Sequence, residues 1–433
     1  MNVNLSALTT EHDVIAVALS GGSDSMALLY YMLSQAEKYH FTVIALNVEH
    51  GIRGEASLSD TEFVKNYCKA HNVPLLSYSV NAKELVATEK ISLEESARIL
   101  RYQCFYDAIN NGKCTKIATA HHLRDNAESV LFNLLRGTGL KGVSGITPSF
   151  ENKIIRPFLT VSKEEIEQYI LDNNIPYVTD ESNFDTDYTR NFIRANVLPE
   201  LKKAFPEAEK SISRFSEIAR IDNEFLDLTA KESVTISDQK AEILLPLHPA
   251  ILSRATVIAL KSCGIQKDWE KVHIDSIIAL EKMQNGAKVS LPKNVTAIRE
   301  YDRIVFYKPY EKPHENPITY PFERVQFGKN TITATTIDPR DIDLKSGLIA
   351  DANKIPSTAI IRYRKDGDVF TKFGGGTKKL NDYFTDKKIP QRLRDSIPLL
   401  ASDNVVYVIF GIAVSDLVKV DSSTTNAIKF EIK

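Results

Sequence analysis

The sequence lacks any pair of cysteines at metal-binding spacing. Its four cysteines, Cys68, Cys104, Cys114 and Cys263, form no C-x-x-C motif, which argues against a zinc ribbon or an iron–sulfur centre. Scattered free thiols are typical of a reducing compartment. The first residues show no basic region followed by an apolar run, and no apolar stretch approaches the ~20 residues of a membrane helix. We therefore expect a cytoplasmic protein.

The sequence also lacks a strong charge of either sign. Its 433 residues include 54 Lys and Arg against 56 Asp and Glu, so the formal net charge is only -2. The total charge therefore does not indicate nucleic-acid binding, and any basic surface must be confined to part of the protein. The length predicts two or three domains.

The first two hundred residues alternate strand and helix patterns. Apolar runs such as 14–19, 41–48, 75–80, 116–120 and 154–159 are separated by amphipathic stretches. Buried strands separated by helices predict an α/β domain over residues 1–206, with a parallel sheet covered on both faces. Such sheets bind ligands at the carboxyl ends of their strands. We therefore expect functional residues just after Leu19, Val48 and Ala120.

The pattern changes after this domain. From about Glu207 it predicts helices only, so residues 207–312 are interpreted as a helical linker and middle domain. A Pro-rich stretch at 308–321 indicates a boundary. Short strand patterns follow, which predict an α+β domain over residues 313–433.

A glycine-rich turn follows the first strand and precedes a helix. This glycine loop consists of Ser20, Gly21, Gly22, Ser23, Asp24 and Ser25. Exposed N–H groups at a helix start bind anions, and the G-x-x-x-x-G-K-[ST] motif of common P-loops is missing. A carboxylate at Asp24 would repel phosphate unless a cation bridges them, which indicates Mg²⁺. The alternative is an ordinary turn with Asp24 near the helix start.

Polar residues also follow the second and fourth predicted strands. His50 and Arg53 could face a nucleotide, or could belong to an ordinary polar loop. Asp125 and Glu128 are three residues apart, so they share a helix face beside His121. They could hold a metal, deprotonate an amine or simply stabilise the helix start. Zinc bound by His121 and its neighbour is a further alternative, without a matching downstream pair.

Two arginines are spaced one turn apart on the helix before the fourth strand. Arginine suits negative charge developing on phosphate because its planar fork offers paired donors. We interpret Arg98 as part of a solvated face that pairs with Glu94 and Glu95, and Arg101 as the better candidate for catalysis.

These segments together resemble the tRNA(Ile)-lysidine synthases, a family of N-type ATP pyrophosphatases with a PP-loop. The matching strings are SGGSDS at 20–25, EHGIR at 49–53, EESARILRY at 94–102, AHHLRDNAES at 120–129, RGTGLKGVSGI at 136–146, RPFL at 156–159 and TDESNFDTDYTRNFIRANVLPEL at 179–201. The resemblance covers the first two hundred residues strongly. It extends more loosely through RYRKDGDVF, KKLNDYF and KKIPQRLRDSIPLL.

The resemblance implies a ligase that joins lysine to C2 of the wobble cytidine in the isoleucine tRNA with a CAU anticodon. ATP would first adenylate the cytidine, giving AMP and pyrophosphate overall. The resulting lysidine would change codon recognition from AUG to AUA, and amino-acid identity from methionine to isoleucine. By the same resemblance, the glycine loop would bind ATP, Asp24 would lie by the phosphates and Mg²⁺, and Arg101 would stabilise the intermediate. Asp125 and Glu128 would handle the amine of free lysine.

Two further groups of basic residues could contact tRNA. Arg190 and Arg194 could reach the anticodon loop, or could pair internally with Asp185 or Asp187. Residues 362–394, here called the basic segment, hold ten Lys or Arg against four Asp, with aromatic residues Tyr363, Phe373, Tyr383 and Phe384 interleaved. Such a segment could follow a phosphate backbone and stack bases, or could be a charged surface without special role. Its candidate tRNA contacts are Lys378, Lys379, Lys387, Lys388 and Arg392.

Three other functions fit parts of the sequence. A tRNA thiolation enzyme would share the loop but generally uses paired cysteines. An RNA-binding protein could use ATP only as a conformational ligand, and an amidating enzyme would need a glutaminase segment that we do not see. The sequence decides neither which carboxylate is the base nor the oligomeric state, for which a homodimer stays open.

Overall fold

The computed structural model describes residues 1, 3–51, 55–178, 188–237, 240–267, 269–309, 315–338, 340 and 347–433. Arg53, Asp185 and Asp187 lie outside the described residues. The chain forms two compact units, Met1–Asp227 and Leu228–Lys433. Within the described ranges, every helix is too short or too polar to cross a membrane.

One sheet organises the first unit. Its strands are β1 Val14–Ala18, β2 Thr42–Glu49, β3 Leu75–Ser79, β4 Lys116–Ala118, β5 Ser149–Phe150 and β6 Ile154–Ile155. The strand order is β3-β2-β1-β4-β6-β5. All neighbouring strands are parallel except the last pair, β6 and β5. This confirms the predicted parallel sheet.

Helices of this unit connect the strands. They are α1 Ser23–Tyr39, α2 Glu55–Ala70, α3 Ala82–Glu89, α4 Leu93–Asn110, α5 Leu123–Leu135, α6 Leu140–Val143, α7 Lys163–Asp172, α8 Tyr188–Phe192, α9 Leu198–Ala204 and α10 Ala208–Glu232. A π-helical turn, Ile193–Val197, joins α8 to α9. The last helix, α10, continues past Asp227 into the second unit.

Successive residues of β1 are buried on opposite faces of the sheet. Ile15 and Val17 pack in the apolar cluster that contains Leu28 of α1. Ala16 packs in a separate cluster with Phe105 of α4. Because side chains alternate along a strand, a sheet buried on both faces needs a continuous apolar run. That requirement explains the composition of residues 14–19.

The central position of β1 creates the place where a ligand can bind. The chain leaves β1 toward β2 on one side, and β4 lies on the other side. Loops at this reversal diverge and leave a crevice at the carboxyl ends of the strands. The predicted fifth strand at 154–159 is shorter than expected and ends at Ile155. Pro157 follows closely and has no N–H to donate to a ladder.

The prediction of helices only beyond Glu207 is wrong, because the region 234–307 contains five strands in addition to two helices. A five-stranded antiparallel sheet lies there, in the order β7-β8-β11-β10-β9. Its strands are β7 Val234–Ser237, β8 Lys240–Leu244, β9 Lys288–Leu291, β10 Val295–Glu300 and β11 Arg303–Tyr307, with helices α11 Pro249–Ser262 and α12 Lys271–Ala279. Apolar runs this short do not separate strand from helix by periodicity. These runs form strands because they pair with one another within the sheet.

The remainder of the second unit is rich in strands, as expected. In chain order they are β12 Ile318–Thr319, β13 Arg324–Phe327, β14 Asn330–Ile337, β15 Leu348–Asp351, β16 Ile360–Arg362, β17 Val369–Thr371, β18 Thr377–Lys379, β19 Leu399–Ser402, β20 Val405–Ile409, β21 Ala413–Val414 and β22 Ala427–Ile432. They form a seven-stranded and a four-stranded sheet. Helices α13 Leu380–Asp386 and α14 Gln391–Arg394 follow β18. Domain boundaries at 206 and 312 stay predictions.

Candidate active site

The glycine loop is held in shape by its own serines. Ser25 Oγ donates to the Gly22 carbonyl at 2.9 Å and lies 3.1 Å from Ser20 Oγ. Gly21 has φ +91°, a conformation that favours glycine, and its carbonyl accepts from Val178 N–H at 2.9 Å. The loop therefore presents the start of the 17-residue helix α1 as an anion site.

A cavity of about 630 Å³ opens beside this loop, within the first unit. Its volume lies within the range of small-molecule sites. Five residues of the loop line it, which are Ser20, Gly22, Ser23, Asp24 and Ser25. The ends of β2 and β4 supply further walls through His50 and His121. Residues that the sequence analysis singled out at the ends of β1, β2 and β4 thus line one cavity.

Asp24 lies beside a lysine and a histidine rather than beside other carboxylates. Lys163 Nζ lies 2.5 Å from Asp24 Oδ1, and His122 Nε2 lies 3.7 Å from Asp24 Oδ2. Among the described residues, no three His, Cys, Asp or Glu side chains gather as a metal site. The sequence reasoning missed Lys163. The string S-K-E-E at 162–165 is typical of a capped helix start, but it does not predict that Lys163 lies next to Asp24.

Asp125 caps helix α5 and also lines the cavity. Its Oδ2 accepts from His122 N–H at 2.9 Å, and its own N–H lies 3.4 Å from His122 Nδ1, so the two residues cap α5 reciprocally. The same carboxylate also lines the cavity. The capping bonds fix its position at the helix start. A carboxylate held there can accept a proton from a bound amine.

Glu128 is clasped by Arg194. Arg194 Nε and a terminal guanidinium nitrogen donate to the two Glu128 oxygens at 2.7 and 2.8 Å. Glu128 is 3% exposed, and these hydrogen bonds raise the pKa of Arg194 above its ordinary value. The same guanidinium lies 3.5 Å from Asp125. Arg194 thus pairs internally with Glu128, whereas the partners predicted for it, Asp185 and Asp187, lie outside the described residues.

Arg98 and Arg101 both line the cavity, together with Tyr102. The Arg98 guanidinium lies over the Tyr102 ring, 5.0 Å from its centroid. Arg98 is exposed, as expected for a solvated face, and that face also borders the cavity. Arg101 Nε donates to His50 Nε2 at 3.4 Å. The structure therefore gives the cavity two arginines where the sequence favoured one.

The two cavity histidines are held neutral. Burial first, and the charge of Arg101 second, lower the pKa of His50 to about 4. Burial also lowers the pKa of His121 to about 4, although Asp125 opposes that shift. A neutral imidazole can accept a hydrogen bond, which agrees with the Arg101 contact at His50. His121 Nδ1 lies 2.9 Å from Thr119 Oγ1.

Other cavity residues were not identified from the sequence. Asn47 is 4% exposed in β2, and its side-chain amide donates to the Leu19 carbonyl at 2.8 Å. A polar residue inside an apolar strand was the available signal. Asp60 and Tyr177 also line the cavity. Arg190 lies outside this set, with its guanidinium 5.3 Å from the Phe132 ring centroid.

In the basic segment, the arginines have partners within the protein, whereas most of the lysines are exposed. Each of its four arginines has a partner: Arg362 pairs with Asp368, Arg364 with Asp395, Arg392 with Glu300, and Arg394 donates to the Ile389 carbonyl. In contrast, Lys365, Lys372, Lys379, Lys387 and Lys388 are exposed. Lys378 pairs with Asp386 across an exposed surface.

Some aromatic residues of the basic segment are buried, and one is exposed. Tyr383 and Phe384 lie in an apolar core with Phe370, so the idea that they stack bases is wrong. Tyr363 packs on Phe327, with ring centroids 4.8 Å apart. Phe373 is 58% exposed and remains able to stack. Burial of these side chains depends on the sheet beneath them, which residue spacing did not reveal.

Comparison with known proteins identifies two matching families. The model of the PP-loop domain matches residues 2–201, and that of the TilS substrate C-terminal domain matches residues 359–430. The tRNA(Ile)-lysidine synthase of Clostridium tetani is 31% identical, covering 97% of this chain and 94% of its own. That of Clostridium acetobutylicum is also 31% identical, covering 100% and 98%. That of Caldanaerobacter subterraneus subsp. tengcongensis is 31% identical, covering 97% and 93%.

Proposed function

The chain belongs to the tRNA(Ile)-lysidine synthase family, and we propose that its cavity joins free lysine to the wobble cytidine of a CAU-anticodon isoleucine tRNA with ATP. The main support for this proposal is that the glycine loop, Arg101 and Asp125 line one cavity at the carboxyl edge of a parallel sheet. One cavity can therefore hold a triphosphate, a developing negative charge and an amine. The product would read AUA rather than AUG, and would direct isoleucine rather than methionine.

The reaction has two balanced steps. The cytosine O2 attacks the α-phosphorus of ATP, the bond to the β-phosphate oxygen breaks, and pyrophosphate leaves from the glycine loop. The lysine ε-amine then attacks C2, the C2–O2 bond breaks, and AMP leaves with that oxygen. Arg98 and Arg101 supply paired donors to the phosphoryl group as negative charge accumulates there.

Asp125 is the proposed base. Free lysine carries a protonated amine with a pKa of about 10.4, so a carboxylate must take its proton before attack. Asp125 lines the cavity, whereas both Glu128 oxygens are engaged by Arg194. We therefore assign Glu128 to positioning Arg194, whose guanidinium also approaches Asp125.

Mg²⁺ is a proposal with Asp24 as its single protein carboxylate. The described residues near Asp24 do not fit an ion held by the protein alone, because Asp24 already faces Lys163 and His122. Mg²⁺ bound with nucleotide phosphates needs only one or two protein carboxylates. The ion would thus enter with ATP and offset phosphate charge next to Asp24.

The exposed lysines of the basic segment are proposed to contact the tRNA backbone. Lys379, Lys387 and Lys388 lie on or beside α13 with exposed side chains, and phosphate contacts by such residues supply affinity without reading sequence. The assembly is proposed to be a homodimer. The support is an exposed apolar stripe on α10 formed by Phe215, Ile218 and Ile221, since such stripes mark protein interfaces.

Product analysis tests the function. The protein is incubated with ATP, lysine and CAU-anticodon tRNA, and the tRNA is digested and examined by mass spectrometry. We expect one cytidine to gain the mass of lysine less water. Pyrophosphate release should require tRNA, and it should continue over many turnovers only when lysine is also present. A mass gain equal to the difference between sulfur and oxygen would support thiolation instead. ATP binding without pyrophosphate release would support the RNA-binding alternative.

A further inference from the structure

Lys163 is fixed beside the glycine loop by the start of α7. Ser162 caps that helix, with Ser162 Oγ accepting from Glu165 N–H and the Glu165 carboxylate accepting from Ser162 N–H. Lys163 is the first helical residue, and its side chain is 19% exposed. Its Nζ lies 2.5 Å from Asp24 Oδ1 and 3.5 Å from Ser23 Oγ.

Aromatic packing holds α7 against α1. The Tyr169 ring of α7 lies edge-on to Tyr30 and Tyr31 of α1, at centroid distances of 6.2 and 6.0 Å. Tyr31 also packs on Phe158 at 5.6 Å. The position of the Lys163 backbone relative to the glycine loop is therefore set by the core rather than by the ion pair. A substitution at Lys163 removes a charge without removing this packing.

The chemistry of the loop requires such a cation. Ser23 and Asp24 are the first residues of α1 and line the cavity, so phosphate bound at the helix start would lie next to the Asp24 carboxylate. An ammonium group offers three donors. Asp24 and Ser23 lie within reach of two, and the group stands beside the place where phosphate oxygens would bind.

We propose that Lys163 binds the pyrophosphate portion of ATP and retains the pyrophosphate product, exchanging its contact with Asp24 for phosphate oxygens. This inference rests on the proposed function for the identity of the ligand. The competing view is that Lys163 only neutralises Asp24 or only joins α7 to α1.

Pyrophosphate binding without metal separates these views. Isothermal titration calorimetry of the full chain with pyrophosphate in EDTA compares wild type with Lys163→Met, Lys163→Arg, Asp24→Asn and the Asp24→Asn/Lys163→Met pair. Lys203→Met is the matched control, since Lys203 forms an exposed ion pair with Glu200 in the same unit. Circular dichroism melts establish that each variant is folded.

We expect Lys163→Met to weaken pyrophosphate binding about 10- to 100-fold, with Lys163→Arg retaining most of the affinity and Lys203→Met all of it. The decisive comparison is in the Asp24→Asn background, where no charge is left to neutralise. A further loss there on Lys163→Met supports direct binding. Equal affinity of Asp24→Asn and the double variant would overturn the proposal, as would wild-type affinity in Lys163→Met or undetectable binding by wild type.

This assay is independent of lysidine formation, because it uses neither tRNA nor lysine. Failure of the proposed function would appear as missing product while pyrophosphate binding still depended on Lys163. Failure of the present inference would appear as normal product formation with pyrophosphate affinity unchanged in Lys163→Met.

Discussion

Arg194 holds Glu128 through two hydrogen bonds of 2.7 and 2.8 Å, and the same guanidinium lies 3.5 Å from Asp125. One arginine therefore contacts both carboxylates that the sequence proposed for handling an amine. Glu128 is nearly inaccessible to solvent, so both of its oxygens depend on this partner for their hydrogen bonds. The arrangement leaves Asp125 as the carboxylate of the pair that lines the cavity.

Arg194→Met is expected to destabilise the protein by about 1–3 kcal/mol, because it leaves the buried Glu128 carboxylate without its charged donor. Arg194 itself is 44% exposed, so solvent screening keeps the loss below that of a fully buried pair. Denaturant unfolding measures it. Adding Glu128→Gln to Arg194→Met should recover part of the stability. The exposed Arg214→Met serves as control and should change stability by less than about 0.5 kcal/mol. An equal loss in Arg214→Met would contradict the account.

Asp125→Asn is expected to lower the rate of lysidine formation about 10²- to 10⁴-fold, the usual contribution of a general base. The amide retains an oxygen that can accept the His122 N–H, so α5 should stay capped and ATP binding should persist. Single-turnover assays with mass spectrometry measure the rate. Asp172→Asn, at the exposed end of α7, is the control. Unchanged turnover in Asp125→Asn would remove Asp125 from the mechanism.

His50 and His121 should stay neutral from pH 8 down to pH 5.5, because their pKa values are about 4. NMR titration of the imidazole ring protons measures this. Arg101→Met should raise the pKa of His50, since it removes a neighbouring cation that opposes protonation. Burial remains, so the rise should stop short of the ordinary value. A His50 pKa near 6.5 in the wild type would contradict the structure.

The same histidines predict a pH dependence of stability. In the unfolded chain they would bind protons below about pH 6.5, whereas in the folded chain they do so only near pH 4. Proton binding by the unfolded state destabilises the fold as the pH falls through this window. Free energies of unfolding should therefore decrease from pH 6.5 to pH 4. His50→Gln should flatten that decrease, and an equally steep profile in the variant would count against the assignment.

Alanine substitution of Lys379, Lys387 and Lys388 together should weaken tRNA binding and make it less dependent on salt, because each lost phosphate contact reduces counterion release. Filter binding across a salt series measures both effects. The control replaces Lys282, Lys288 and Lys329, three exposed lysines of the same unit. Equal affinity and salt slope in the two triple variants would show that the basic segment has no role in binding.

The predictable parts of this molecule were those encoded locally. The apolar run of β1 and the Ser20–Ser25 string together indicated a parallel sheet with a phosphate loop. A buried strand, a glycine-rich turn and a helix that follow one another in the chain are sufficient for that prediction. Asp125 could be placed at a strand end for the same reason. Its capping role and its place in the cavity both follow from being the third residue of α5.

The missed parts depend on contacts between distant segments. Lys163 lies 139 residues from Asp24 in the chain, and Arg194 lies 66 residues from Glu128. Neither pairing leaves a signal in local spacing, because the packing of α7 on α1 and of the π-helical turn beside α5 brings the groups together. The strands between 234 and 307 were missed for a related reason. Their short apolar runs become strands only through pairing with one another.

A crystal structure with α,β-methylene ATP tests the central claim most directly, since this analogue cannot be cleaved between the α- and β-phosphates. We predict that the β- and γ-phosphates lie at the amides of Gly22 to Asp24, with Lys163 turned toward them and the nucleoside in the 630 Å³ cavity. An empty glycine loop, with the nucleotide bound at another surface, would contradict the account.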